Sequence, residues 1–263
     1  MNIRGERVLI IGDSLSALPP YTTTAPTIVD LLPGTSASSP GGILGKQLLA
    51  SGAQAVRVNA RVGRSAISFM NLEQGLTQIA SDLSGFRPTK VIVFLGTNDI
   101  DRGVTPEALA RTASSLRGIR DAFKLARVET FALGPPSYDS AKYTAGAPAV
   151  LSTMRNVFGA DHVLDLQPLT PMAERTSDGV HFTTAGAQDV APDILAHLTT
   201  LGTAPTVTSS STGTEIAWGI AGVAGFVGAT WLALYVAKRA AENPRGFAMA
   251  VGRHALRYAT KRR

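Results

Sequence analysis

The 263-residue chain contains no cysteine. That absence excludes disulfides, thiolate zinc sites and a cysteine nucleophile, while saying little about compartment. Histidine is scarce too: His162, His181, His197 and His254 are the only four. Any chemistry that needs a base near neutral pH must choose among them. The N-terminus, Met1-Asn2-Ile3-Arg4-Gly5-Glu6-Arg7, runs straight into an apolar segment. It leaves no room for a charged region, an apolar region and a cleavage site, so no secretory signal is expected.

Charge is unevenly spread. Residues 238–263 hold Lys238, Arg239, Arg245, Arg253, Arg257, Lys261, Arg262 and Arg263 against Glu242 alone, a net +7. With +6 for the whole chain, residues 1–237 come to −1. The basic character therefore belongs to the tail, and the remainder needs no acidic partner.

Residues 1–201 alternate short apolar runs with stretches of helical spacing. Val8–Ile11, Ala55–Val62, Lys90–Leu95, Val128–Leu133 and His162–Leu166 read as about five strands. Helices are expected over Ile43–Ala50, Phe69–Leu83, Pro106–Lys124, Pro148–Phe158 and Ala185–Leu201. Such alternation predicts an α/β domain, a parallel sheet with helices on both faces. Right-handed crossovers put the first strand beside the third, with the switch point between them. Ser16 to Gly42, rich in Pro, Thr, Ser and Gly, is a long connection expected to border the site, and Tyr21 is its candidate for touching substrate.

Beyond residue 201 the character changes. Residues 202–215 are a Ser/Thr/Gly linker. Ile216–Ala237 is an uncharged, mostly apolar run of 22 residues bracketed by Glu215 and Lys238, long enough to span a bilayer. Ala217, Ala221, Gly225, Ala229, Ala233 and Ala237 form a small-residue stripe on it, which suits helix–helix self-association. The tail, residues 238–263, suits an anionic membrane surface, and no nucleic-acid motif is present. Orientation stays open: the basic tail predicts a cytoplasmic C-terminus and an external domain, yet nothing at the N-terminus exports that domain.

Three of the strands run into turns that hold candidate residues. Gly12-Asp13-Ser14 follows the first, Gly63-Arg64-Ser65 the second and Gly96-Thr97-Asn98-Asp99 the third. A serine needs a base, and His181 is the one histidine on a loop at that edge, with Asp178 three residues before it to fix its tautomer. Asn98 can offer a side-chain NH2, and Gly63 and Ser14 backbone N–H groups, to an oxyanion. Each feature alone has an ordinary structural explanation, whether turn, helix cap or loop. Together they supply every part of a serine acyl hydrolase.

In four ordered blocks the sequence resembles the GDSL, or SGNH, hydrolase family. These are Gly12-Asp13-Ser14-Leu15, Asn59-Ala60-Arg61-Val62-Gly63, Gly96-Thr97-Asn98-Asp99 and Asp178-Gly179-Val180-His181-Phe182-Thr183, covering about residues 7–200. The resemblance implies a three-layer flavodoxin-like fold, Ser14 as nucleophile, Gly63 and Asn98 as oxyanion donors, His181 as base and Asp178 as its orienting acid. It implies no metal or organic cofactor and an acyl-ester substrate, of carbohydrate or lipid. The combined expectation is a membrane-anchored serine esterase, with deacetylation of a cell-envelope polysaccharide as first substrate. Lipid or lysophospholipid hydrolysis and acyl transfer are the alternatives within the family. A non-catalytic assembly module of a membrane complex or virus particle is the alternative outside it.

Overall fold

The computed structural model describes residues 1–18, 27–170 and 173–201. Six strands form one sheet: β1 (Arg7–Gly12), β2 (Thr27–Asp30), β3 (Ala55–Ala60), β4 (Lys90–Phe94), β5 (Glu129–Leu133) and β6 (Val163–Leu164). Their spatial order is β2-β3-β1-β4-β5-β6. β1 pairs in parallel with both β3 and β4, so the chain reverses its direction of travel across the sheet at β1. The crevice for a ligand opens at such a reversal, above the C-terminal strand ends.

The expected parallel sheet needs one correction. β2 is a sixth strand, antiparallel to β3 on the edge of the sheet, with Thr27 opposite Ala60. Four residues with half their side chains exposed are too few to show a period, and β3 supplies the pairing that they cannot signal alone.

The β1 sequence alternates between two cores. Val8 and Ile10 join Ile92 and Phe94 on the face covered by α1 (Pro40–Ala50) and α7 (Thr184–Thr200). Leu9 and Ile11 join Val91 and Val93 on the other, under α2 (Ala66–Asn71), α3 (Gly75–Gly85), α5 (Pro106–Leu125) and α6 (Ala141–Phe158). Each such side chain gives roughly 1.5–3 kcal/mol on burial, which is why a strand apolar on both faces belongs in the centre of the sheet.

Several boundaries differ from expectation. The helix predicted over Phe69–Leu83 is two, α2 and α3, broken where Gln74 takes φ 54°. Helix α6 starts at Ala141, with Pro148 inside it at the cost of one backbone hydrogen bond. The strand predicted from His162 shrinks to Val163–Leu164, and His162 lies in a 3-10 turn stacked on Phe131. A short helix, α4 (Thr97–Asp101), follows β4 where a loop was expected. Tyr21, the linker, the segment 216–237 and the basic tail lie outside the described residues. Among the described residues no helix is long and apolar enough to cross a membrane.

Candidate active site

The turn after β1 carries Ser14. It is closed by the Ser16 and Ala17 N–H groups, both donating to the Asp13 carbonyl at 3.0 Å. The Asp13 carboxylate accepts from Leu15 N at 2.9 Å, which fixes the same turn from inside. Ser14 is nearly buried, and its Oγ reaches His181 Nε2 at 2.8 Å.

His181 comes from the loop before α7, 167 residues away in sequence. Its Nδ1 lies 2.5 Å from Asp178 Oδ2. A carboxylate there can only accept, so Nδ1 carries the hydrogen and Nε2 is left to accept from the serine hydroxyl. The other Asp178 oxygen accepts from Val180 N at 2.8 Å, His181 N at 3.0 Å and Thr176 Oγ1 at 2.8 Å. Partial burial pushes the Asp178 pKa up, but the hydrogen bonds from His181, Val180 and Thr176 outweigh it and hold the acid well below the usual carboxylate range. It stays ionised throughout the range in which the histidine can work.

The loop is itself held from both sides. Arg175 donates to Val180 O at 2.9 Å and to Ser137 O, and its guanidinium lies 3.6 Å from the centre of the Phe182 ring. Burial lowers the Arg175 pKa to about 10, still fully charged at neutral pH. Gly179 has φ +67°, and a Cβ there would come within 3.1 Å of Ser140 N, so glycine lets the turn pack against the segment leading into α6. Sequence reasoning missed Arg175, because no spacing rule marks an arginine that anchors a loop.

Asn98, in α4, donates from Nδ2 to Arg64 O at 3.1 Å and to Asp13 Oδ2 at 3.3 Å. It thus stands beside the nucleophile turn, as the β1–β4 pairing requires. Gly63 follows β3 with φ +73° on an exposed turn, and no atom lies within 4 Å of where its Cβ would be. Open space and a left-handed backbone, rather than crowding, call for glycine here. Among the described residues, neither the Ser14 nor the Gly63 N–H has an acceptor. Asp99, adjacent to Asn98, is buried and accepts from Ala66 N at 2.8 Å and Thr112 Oγ1 at 3.2 Å, tying α4 to α2 and α5.

The other described histidines stand elsewhere: His197 Nδ1 is 2.8 Å from Asp193 O within α7, and His162 neighbours Asp161 and Glu129. A cavity of about 560 Å³ opens over Ser14 and His181. Leu15, Pro40, Val62 and Phe182 give it apolar walls, while Ser38, Ser39, Thr176, Thr183 and Thr184 surround it with hydroxyl-bearing side chains. Among the described residues no cluster of three or more histidine, aspartate or glutamate side chains could hold a metal ion.

Over residues 10–188 the sequence matches the GDSL-like lipase/acylhydrolase family. The chain belongs to that family. This GDSL hydrolase is also similar in fold to several solved structures. An acetylxylan esterase from Geobacillus stearothermophilus is 18% identical, with a TM-score of 0.55 over 75% of this chain and 96% of that one. An α/β hydrolase enzyme from the metagenome of Lake Arreo, Spain, is 20% identical, with a TM-score of 0.54 over 76% and 98%. A psychrotrophic esterase from Pseudoalteromonas, inhibited by monoethylphosphonate, is 15% identical, with a TM-score of 0.51 over 74% and 97%. Comparison with curated proteins gives no match. The GDSL hydrolase is a serine ester hydrolase of the SGNH type, with a mostly parallel six-stranded sheet.

Proposed function

We propose that this hydrolase removes small acyl groups, acetyl first among them, from a carbohydrate, through an acyl-enzyme formed on Ser14. The observation that carries the reading is the continuous line Ser14 Oγ, His181 Nε2, His181 Nδ1, Asp178 Oδ2, with steps of 2.8 and 2.5 Å, at the floor of an open cavity. In this reading Ser14 Oγ attacks the ester carbonyl carbon while its proton passes to His181 Nε2. The imidazolium, stabilised by ionised Asp178, then returns that proton to the departing alkoxide, and the alcohol leaves. Water, deprotonated by His181, attacks the acyl-serine. Collapse of the second tetrahedral intermediate releases the acid and restores the Ser14 hydroxyl.

The oxyanion is met by the Ser14 and Gly63 N–H groups and by Asn98 Nδ2. Of the two Asn98 hydrogens, the one directed at Asp13 Oδ2, across a donor–acceptor distance of 3.3 Å, is the more weakly held, and it turns to the oxyanion as charge develops. Loss of one such donor slows the chemical step by roughly 10²–10³-fold.

An open cavity with Ser38 and Thr184 in its lining suits a sugar, while the hydroxyls of Ser39, Thr176 and Thr183 are already engaged with Gly42, Asp178 and Gly186. The names of the acetylxylan esterases with the same fold point the same way. We further propose that residues 216–237 anchor the enzyme to a membrane and that their small-residue stripe pairs with a second helix. A run of 22 residues without charge supports this. The anchor equally suits a lipid ester, which makes lipid hydrolysis the competing outcome of the test.

That test assays the full chain on p-nitrophenyl esters of increasing length, on acetylated xylo-oligosaccharides and on lysophospholipid, with Ser14→Ala as control. We expect rates to fall with acyl length, acetylated sugar to be deacetylated, and both activities to vanish in Ser14→Ala. Preference for long chains and lysophospholipid would replace the carbohydrate reading with the lipid one. Activity surviving in Ser14→Ala would overturn the nucleophile assignment.

A further inference from the structure

Arg64 is the largest side chain among the described residues with no exposure to solvent. A buried guanidinium has several N–H donors to satisfy, and leaving any of them unmade is costly. Here Nε and Nη2 donate to Glu73 Oε2 at 3.1 and 2.8 Å. Nη1 is shared among Gly12 O at 3.2 Å, Asn59 O at 2.9 Å and Asn59 Oδ1 at 3.1 Å. One face of the group lies 4.9 Å from the centre of the Phe69 ring. Glu73 reaches it because the chain breaks between α2 and α3, and its second oxygen faces Arg61 Nη1 at 3.5 Å.

A buried ion pair of this kind is weak evidence for stability, because well-packed apolar residues would often serve as well. Its contacts indicate another role. Gly12 is the last residue of β1 and leads directly into the turn that carries Ser14. Asn59 is near the end of β3, on the segment that runs on to Gly63. The Arg64 main chain closes the set, its carbonyl accepting from Asn98 Nδ2 at 3.1 Å. One residue therefore joins the three segments that carry Ser14, Gly63 and Asn98.

We propose that Arg64 is a positioning residue for the oxyanion site. This rests on the reading of Ser14, Gly63 and Asn98 as donors given above. The Gly63 N–H and the Arg64 carbonyl lie on either side of the Arg64 backbone. Gly63 is exposed and lies in the turn closed by Arg64 N onto Arg61 O at 3.2 Å, with Arg61 N bound to Gly12 O at 3.2 Å, so where Arg64 is fastened helps to set the place of the Gly63 N–H. The same carbonyl takes one Asn98 hydrogen and so sets the plane of the amide, directing the other hydrogen towards the nucleophile turn. Lysine cannot substitute, since a single nitrogen cannot span Glu73, Gly12 and Asn59 together.

A double-mutant cycle on the full-length chain tests this, measuring kcat and KM on p-nitrophenyl acetate and thermal unfolding for Arg64→Lys, Asn98→Ala and the pair. We expect Arg64→Lys to lower kcat by roughly 10–100-fold with KM nearly unchanged, the signature of an interaction made in the transition state. Added to Asn98→Ala, it should cost only a few-fold more, because the side chain that it orients is already gone. A folded Arg64→Lys with unchanged kcat, or losses that multiply in full, would overturn the positioning role alone. An Asn98→Ala enzyme with unchanged kcat would overturn the donor assignment and this proposal with it. If Arg64→Lys does not fold, Glu73→Gln takes its place in the same cycle, because it keeps a hydrogen-bonding oxygen but removes the charge that orients the guanidinium. The same losses then support the positioning role, and an unchanged kcat or fully multiplying losses overturn it.

Discussion

The Asp13 carboxyl lies wholly out of solvent one residue before the nucleophile. Desolvation raises its pKa to about 7, against the pull of the Leu15 N–H and of His181. Its ordinary value is 3.8. Between about pH 4 and 7 the unfolded chain therefore gives up a proton that the native state keeps, and stability falls as pH rises through that window and remains lower above it. We expect the thermal midpoint of the wild type to drop from pH 5 to pH 8 by more than that of Asp13→Asn, measured by calorimetry at both pH values. Equal drops would show that Asp13 is ionised in the native state already at pH 5. At Asp178 the expected effect is catalytic. Asp178→Asn should keep the fold but favour the wrong histidine tautomer, lowering kcat by roughly 10³–10⁴-fold in steady-state assays. Ser14, Asp178 and His181, the nucleophile, acid and base of the proposed mechanism, were legible as candidates, since a serine at a strand end and an Asp-x-x-His pair follow from local sequence. Arg64 was not legible in the same way: an arginine after a glycine reads as a solvated turn, and only packing reveals it as buried.

Among elements, the loop before α7 matters most in the proposed mechanism, because it brings both His181 and Asp178 to Ser14 on the turn after β1. Its geometry depends on Gly179, whose φ of +67° and close approach to Ser140 no alanine tolerates without strain. Gly179→Ala should destabilise by about 1–2 kcal/mol and depress kcat more than KM, read from thermal melts and steady-state kinetics on one preparation. The helix that follows is capped by Thr183, whose Oγ1 accepts from Gly186 N at 3.1 Å. Thr183→Ala should cost about 1 kcal/mol of stability with a smaller effect on catalysis, because the cap anchors the helix and not the histidine. The elements most visible in the sequence are those that are regular over many residues, such as α5 with Leu116, Ile119 and Phe123 on its buried face. β2 and α4 were invisible, being four and five residues long. The break between α2 and α3 was hidden because apolar spacing carries across it, while Glu73 is turned inward by a partner, Arg64, that only tertiary contact supplies.

At the scale of the molecule, the described residues, all within 1–201, belong to one compact unit. Because that unit holds the sheet, both cores and Ser14, Gly63, Asn98, Asp178 and His181, residues 1–205 should fold alone and keep the esterase activity of the full chain within about twofold. Circular dichroism and the p-nitrophenyl acetate assay on the truncated protein check this. If residues 216–237 anchor the enzyme, the full chain should sediment with anionic lipid vesicles and the truncated one should remain in the supernatant; co-sedimentation of both would remove the anchor from that segment. By itself, the sequence determined the alternation of strand and helix and the pairing of the first strand with the one that leads to Gly96, and it singled out Ser14, Gly63, Asn98, Asp178 and His181 as candidates. These depend on local periodicity and on residue chemistry, and parallel pairing necessarily gathers strand ends at one edge. Only the tertiary structure decided that β2 closes the sheet antiparallel, that Arg175 holds the catalytic loop, and that Arg64 ties Gly12, Asn59 and Glu73 beneath the site. Those outcomes depend on which groups meet across distant parts of the chain and lose their water together, and no local pattern records such meetings.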